Sequence, residues 1–113
     1  MPFSFKKPDI AGLVLIEPQV FGDSRGHFLE LFQNSEFHKN GIKDKFLQDN
    51  FSNSKKGVLR GLHYQVEPHA QSKLVHCLRG KIFDVAVDIR KGSKTFGQHF
   101  STILSEQNHK SHH

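Results

Sequence analysis

A histidine, a lysine and an arginine stand close together in the middle of the chain. Arg60 opens the run Arg-Gly-Leu-His-Tyr-Gln, in which the histidine is His63, and Lys73 follows ten residues after that histidine. A histidine can act as a base near neutral pH, a lysine can stabilise an enolate oxygen, and an arginine can clamp an anionic substrate with its fork of donors. The trio therefore suits proton abstraction next to a carbonyl group, although a single histidine is more often a hydrogen-bonded core residue.

Short strands must position these side chains. Runs of alternating or continuous apolar residues predict strands at 12–16, 28–32, 46–51, 58–65, 73–78, 81–89 and 100–104. One helix is predicted at 34–40, with Asn34 or Ser35 as the N-cap and Gly41 as the stop. Many short strands with regular turn signals indicate an antiparallel sandwich or barrel, so we expect an all-β fold with one short helix.

Composition limits the function classes. With 113 residues the chain is long enough for one domain, and its net charge of +5 favours an anionic partner. The basic residues are scattered, which argues against nucleic acid as that partner, and no apolar run is long enough for a membrane span. Cys77 stands alone and excludes an internal disulfide, so a cytoplasmic location is expected.

The end of the chain has no strand pattern. After Glu106 the sequence is polar and rich in histidine, so we expect a domain at 1–108 followed by a frayed or tag-derived tail at 109–113. A natural metal-binding tail is a weaker alternative. Within the predicted strand at 81–89, Asp84 either orients a pocket histidine or lies solvated at the core edge, and the sequence leaves both readings open.

Five blocks of the sequence, taken together, resemble a known family. The blocks at 21–30, 48–50, 60–65, 71–75 and 84–93 are similar in order and spacing to the dTDP-4-dehydrorhamnose 3,5-epimerase family. The resemblance implies a cupin-type jelly-roll barrel, here partial because the C-terminal part is lacking, and a homodimer. It also implies a dTDP-4-keto-6-deoxy sugar as substrate, whose C4 ketone acidifies the protons on C3 and C5.

The resemblance assigns a role to each matching residue. It implies that His63 is the base that removes a proton and that Lys73 stabilises the enolate oxygen. It also implies six substrate contacts: Arg60 at the pyrophosphate, Phe21 near the thymine, Gln48 and Asn50 along the pocket, and Arg25 and Glu30 in a nucleotide-binding segment that reaches across the dimer. Without the resemblance, Arg25 and Glu30 would be interpreted as a solvated hairpin pair.

Comparison with metal-binding cupins predicts no catalytic metal and no cofactor. Their first motif places a His-x-His pair and a Glu between two glycines, and Gly57, His63 and Gly80 fit its frame. Gln65 stands where the second histidine would be, and Lys73 where the glutamate would be. One ligand of three is too few for a divalent site.

The family's pattern continues beyond the end of this sequence, with a Pro-x-Gly-Phe-x-His segment, a proton-donating tyrosine and an aspartate that orients the histidine. The sole tyrosine here is Tyr64, inside the histidine motif. Three functions stay open on this basis: a 3,5-epimerase of dTDP-rhamnose biosynthesis, a truncated inactive homologue that only binds the dTDP-sugar, and a single-carbon epimerase or ketoisomerase. A nucleic-acid binder is the fourth alternative.

Overall fold

The computed structural model describes residues 3–66 and 71–113, in which it has eight strands and one helix. In chain order these elements are β1 Phe3–Lys6, β2 Leu15–Pro18, β3 Phe21–Asp23, β4 Gly26–Phe28, α1 Asn34–Lys39, β5 Val75–His76, β6 Lys81–Val87, β7 His99–Ser105 and β8 Ser111–His112.

All strand pairs are antiparallel, and they form three sheets. The largest has four strands in the order β1-β2-β8-β5, and the other two are the hairpins β3-β4 and β6-β7. The all-β expectation with one short helix is confirmed, and the structure has the topology of part of a jelly-roll barrel. No helix in the described ranges has the length and hydropathy to cross a bilayer.

Helix α1 covers one face of the four-stranded sheet. The Phe37 side chain is completely buried there against Phe3, Val14, Ile16 and Ile42. Its ring meets the Phe3 ring edge-on at a centroid distance of 5.2 Å, a favourable geometry for aromatic pairs. This cluster is the hydrophobic core.

The ends of the helix correct one prediction and confirm another. The N-cap is Gln33, one residue before the predicted Asn34 or Ser35, and its Oε1 accepts hydrogen bonds from the Glu36 backbone N–H and the Ser35 hydroxyl. The glutamine side chain is longer than that of the usual cap residues, but it folds back over the first turn, so that its Oε1 meets the same backbone N–H group. At the other end Gly41 has φ of +91°, a conformation that favours glycine and stops the helix as predicted.

Several predicted strands are wrong or shorter. The strand predicted at 28–32 is absent because β4 ends at Phe28, and the ranges 46–51 and 58–65 have no strand. In 73–78 only Val75–His76 pairs, and β6 ends at Val87, two residues short of the strand predicted at 81–89, whereas the strand predicted at 100–104 is confirmed within β7. An apolar run becomes a strand only beside a hydrogen-bonding neighbour, and 46–66 has none in the described part of the chain.

The expectation of a frayed tail is also wrong. Ser111 and His112 form β8, which lies between β2 and β5, and both are buried. His113 continues the pairing, since its backbone N–H donates to the Val14 carbonyl at 2.8 Å. The sequence misses this strand because three polar residues have no apolar alternation. The domain division at residue 108 itself stays a prediction.

Candidate active site

The arginine–histidine segment lies outside the sheets. His63 and Arg60 belong to an exposed stretch without regular structure, and the Arg60 Nε donates to the Ser54 hydroxyl at 2.9 Å. Gly61 beside them has φ of +125°, which a residue with a side chain adopts only with strain. The segment is held by local contacts, and both predicted site residues present their side chains to solvent.

Lys73 lies two residues before β5 and is exposed. Its neighbour Leu74 packs against the core on the face covered by α1. In residues 3–66 and 71–113 no hydrogen bond or ion pair joins Lys73 to His63. The range 58–65 does not form a strand and therefore does not pair with β5.

The β3-β4 hairpin carries the predicted nucleotide contacts. Phe21 begins β3 with an exposed ring, and Arg25 lies in the turn, where its Nη2 forms an ion pair with Asp23 at 2.7 Å. The Arg25 guanidinium lowers the pKa of the Asp23 carboxyl. Glu30 follows β4 and is exposed. The hairpin thus presents an aromatic ring, a cation and an anion to solvent.

The side chains of Gln48 and Asn50 are in direct contact. The Gln48 Nε2 donates a hydrogen bond to the Asn50 Oδ1 at 3.1 Å. Both lie in the stretch without strands and are exposed. The pair offers one amide oxygen and several N–H donors, which suits a sugar hydroxyl or a base edge.

A histidine–carboxylate pair joins β8 of the four-stranded sheet to β6, with the histidine buried and the Asp84 side chain 25% exposed. The His112 Nδ1 donates to the Asp84 Oδ2 at 2.7 Å, and the Phe100 ring packs against the imidazole edge at 5.4 Å. Only 5% of His112 is exposed, and its Nε2 is buried without a hydrogen-bond partner in the described residues. Asp84 is therefore bonded to a buried histidine that lines neither the cleft along β1 and β2 nor the cleft beside the 90–95 turn, and its role in a pocket stays a prediction.

The neighbouring histidines are anchored differently. On the other face of the sheet, the His113 Nε2 donates to the Asp44 Oδ2 at 2.6 Å. The His76 Nδ1 and the Ser111 hydroxyl are hydrogen-bonded at 2.9 Å, and burial, together with the charge of His109, lowers the pKa of His76. No pattern in the sequence marks His112 or His113 as bonded to a carboxylate, and the one available signal is Asp84, which alternates with apolar residues along β6.

Two open clefts of about 600 and 480 Å³ lie away from these residues, one along β1 and β2 and one beside the 90–95 turn. Neither of these two clefts is lined by His63 or Lys73. Among the described residues no group of three histidine, cysteine or acidic side chains could hold a metal ion. The absence of a catalytic metal and of a cofactor stays a prediction.

The partial jelly-roll topology is that of the cupin-type proteins, and comparison with known proteins identifies the family. A family model described as dTDP-4-dehydrorhamnose 3,5-epimerase matches residues 7–112. The chain is 55% identical over 103 residues to the dTDP-4-dehydrorhamnose 3,5-epimerase of Shigella flexneri, covering 90% of this chain and 57% of that protein. The chain therefore spans little more than half the length of the curated relatives it matches.

Two solved structures agree in fold. The dTDP-4-dehydrorhamnose 3,5-epimerase of Sulfolobus tokodaii superposes with a TM-score of 0.92 at 47% identity, covering 99% of this chain and 62% of that one. The dTDP-6-deoxy-D-glucose-3,5-epimerase of Legionella pneumophila, in complex with dTDP-4-keto-L-rhamnose, has a TM-score of 0.92 at 51% identity, covering 97% and 58%. This chain belongs to the dTDP-4-dehydrorhamnose 3,5-epimerase family.

Proposed function

We propose that the protein epimerises dTDP-4-dehydro-6-deoxy-D-glucose at C3 and C5, giving dTDP-4-dehydro-L-rhamnose. The observation that carries the proposal is the family match over residues 7–112, a range that contains all eight predicted site residues. The complex of the Legionella relative with a dTDP-4-keto sugar supports the same substrate class.

The chemistry divides between two residues. His63 removes the proton from C3 or C5, and the electron pair of that C–H bond moves into an enolate whose oxygen is the former C4 ketone. Lys73 places its ammonium group beside that oxygen, where negative charge develops in the transition state. Both side chains are exposed in this chain, so binding the substrate against them does not require a buried side chain to move.

The remaining predicted residues bind the nucleotide. Arg60 donates to Ser54 through Nε alone, which leaves its terminal nitrogens for pyrophosphate oxygens. Phe21 stacks near the thymine, and Arg25 and Glu30 extend the nucleotide site, while Gln48 and Asn50 contact the sugar.

We also propose a homodimer, with the β3-β4 hairpin contributing to the partner's nucleotide site. Arg25, with 89% of its side chain exposed, projects from the tip of the hairpin. Large apolar side chains along 47–66 are exposed as well, with Leu59 at 90%, and exposed apolar patches typically mark interaction sites. The cytoplasmic location expected from the lone Cys77 stays a prediction.

Incubation with dTDP-4-dehydro-6-deoxy-D-glucose in heavy water tests the enzymatic proposal. Deuterium at both C3 and C5 with an inverted product is the expected result, read by proton NMR and by mass. A His63→Asn variant is the control, because it keeps a polar side chain but cannot act as a base at neutral pH.

The other outcomes separate the alternatives. Exchange at one carbon alone would contradict the 3,5-epimerase and favour a single-carbon epimerase or ketoisomerase. No exchange, with dTDP still bound in calorimetry, would favour a homologue that only binds the dTDP-sugar.

A further inference from the structure

The backbone that carries Lys73 is held by the two residues on either side of it. Leu74 packs against the hydrophobic core, and the Ser72 hydroxyl donates to the Asp44 Oδ1 at 2.9 Å, across 28 positions of the sequence. In residues 3–66 and 71–113 this is the one side-chain hydrogen bond made by 71–74, which precede β5 and belong to no strand. One apolar contact and one polar bond therefore fix the segment.

Asp44 is itself anchored to the four-stranded sheet. Its Oδ2 accepts a hydrogen bond from the His113 Nε2 at 2.6 Å, and His113 is paired with Val14 through two backbone bonds of 2.8 and 3.0 Å. Two positions before and two positions after Asp44, Ile42 is buried in the core and Phe46 packs against it. The carboxylate is therefore a fixed point on the sheet.

The Asp44 carboxylate is ionised at neutral pH. Its side chain is 35% exposed, whereas that of His113 is 13% exposed. Partial burial acts to raise the pKa of Asp44, but the bonds from Ser72 and His113 outweigh it and hold the pKa below its ordinary value. A hydrogen bond to a charged acceptor is stronger than one between neutral groups. The bond to Ser72 is therefore strong enough to hold a segment at the surface.

A lysine that stabilises an enolate depends on such a support. Electrostatic stabilisation is effective when the donor is in place before charge develops on the oxygen, and small displacements of a positioned group are costly. We propose that Asp44 positions Lys73 for this role by bonding the hydroxyl of the preceding residue, Ser72. The inference rests on the proposed epimerase function, and in it Asp44 acts through Ser72 without contacting the substrate.

The rate of deuterium exchange and the mobility of Lys73 test the proposal together. Asp44→Ala and Ser72→Ala should each slow exchange into dTDP-4-dehydro-6-deoxy-D-glucose in heavy water by about 5- to 10-fold, the factor that one hydrogen bond contributes. The NMR order parameter of the Lys73 backbone N–H should fall toward about 0.6, the upper limit for flexible backbone. The affinity for dTDP, measured by calorimetry, should be unchanged, because the nucleotide contacts are intact.

Three further variants separate positioning from other effects. Ser72→Thr keeps the hydroxyl and should exchange deuterium within about twofold of the wild-type rate. The double variant of Asp44→Ala and Ser72→Ala should lose no more than either single variant, because both remove the same bond. Asp9→Ala is the matched control, because it removes an exposed carboxylate that forms no side-chain hydrogen bond or ion pair in the described ranges. It should exchange at the wild-type rate.

The results that would overturn the proposal are distinguishable. Wild-type exchange rates in both single variants refute the positioning role and leave the epimerase function standing. A loss in Asp44→Ala alone refutes it in favour of a direct effect of the carboxylate charge on Lys73. Losses that add in the double variant, with a matching fall in dTDP affinity, refute it in favour of a general loss of structure.

Failure of the proposed function would give a different result. A wild-type chain that binds dTDP but exchanges no deuterium refutes the epimerase function and any catalytic purpose of the bond. The order parameters still decide, in that case, whether Asp44 holds the segment of Lys73.

Discussion

Asp88 is the most strongly bonded carboxylate in the described part of the chain. Its buried side chain accepts hydrogen bonds from the Arg90 Nε at 3.0 Å, the Ser93 hydroxyl at 2.6 Å and the Thr95 hydroxyl at 2.5 Å. These bonds, led by that from Arg90, hold the pKa of Asp88 far below its ordinary value of about 3.9. The carboxylate ties together the 88–98 turn that connects β6 to β7.

Asp88→Asn should lower the Tm by about 5 °C at pH 7, because an amide cannot accept all of these bonds. A lowered folded-state pKa stabilises the fold above the unfolded value of about 3.9, and this stabilisation is lost as the pH falls through the folded value. The difference between variant and wild type should therefore shrink below pH 4. Thermal melts at pH 7 and pH 3 measure it.

Asp23→Asn is the matched control, because Asp23 and Arg25 repeat the same spacing in an exposed setting. Exposed ion pairs contribute little, so its Tm should stay within about 1 °C of wild type. An equal fall in Tm in both variants would show that the burial of Asp88 does not determine its contribution to stability.

Lys73→Met should lower the rate of deuterium exchange by about 10²–10³-fold, as loss of one oxyanion donor does. The affinity for dTDP should be unchanged, because Lys73 is proposed to act on the enolate oxygen alone. Isothermal titration with dTDP and the exchange assay measure the two quantities. A matching fall in dTDP affinity would instead indicate a nucleotide contact.

At the scale of elements, α1 secures the four-stranded sheet through one side chain. Phe37→Ala removes a ring that is 0% exposed and should lower the free energy of unfolding by about 3–5 kcal/mol. Phe96→Ala is the control for the same chemical change at an exposed position, and about 0.5 kcal/mol or less is expected there. Urea denaturation measures both, and equal losses would contradict the assigned core.

The pairing of β8 extends to His113, whose backbone N–H donates to Val14. His113→Pro removes that donor from an inner strand and should cost about 1–3 kcal/mol of unfolding free energy. His113→Ala loses the same imidazole contact with Asp44 but keeps the N–H. The difference between the two variants in urea denaturation isolates the backbone bond, and no difference would indicate that the end of β8 contributes nothing to stability.

At the scale of the whole molecule, exposed apolar side chains should drive self-association. Leu59→Lys places a charge on the stretch proposed to meet the partner, so its dimer dissociation constant should rise about tenfold or more in analytical ultracentrifugation. Ser52→Lys adds the same charge at an exposed polar position of the same stretch and should leave the constant within about twofold. A wild-type chain that is monomeric at high concentration would contradict the proposed homodimer.

The sequence by itself determined the family and the strongest local elements. The family motifs consist of residue types at fixed spacing, so they can be recognised without knowledge of distant contacts. The same holds for β6, β7 and α1, because each has an apolar periodicity and a clear stop signal. The all-β class followed from the same patterns.

Only the tertiary structure decided where the extended segments find partners. The ranges 46–51 and 58–65 have the composition of strands but no pairing neighbour, whereas Ser111 and His112 have no strand pattern and lie inside a sheet. Strand pairing depends on hydrogen bonds between residues far apart in the chain. The same dependence brings His112 to Asp84, which explains why the sequence could flag the carboxylate but not its partner.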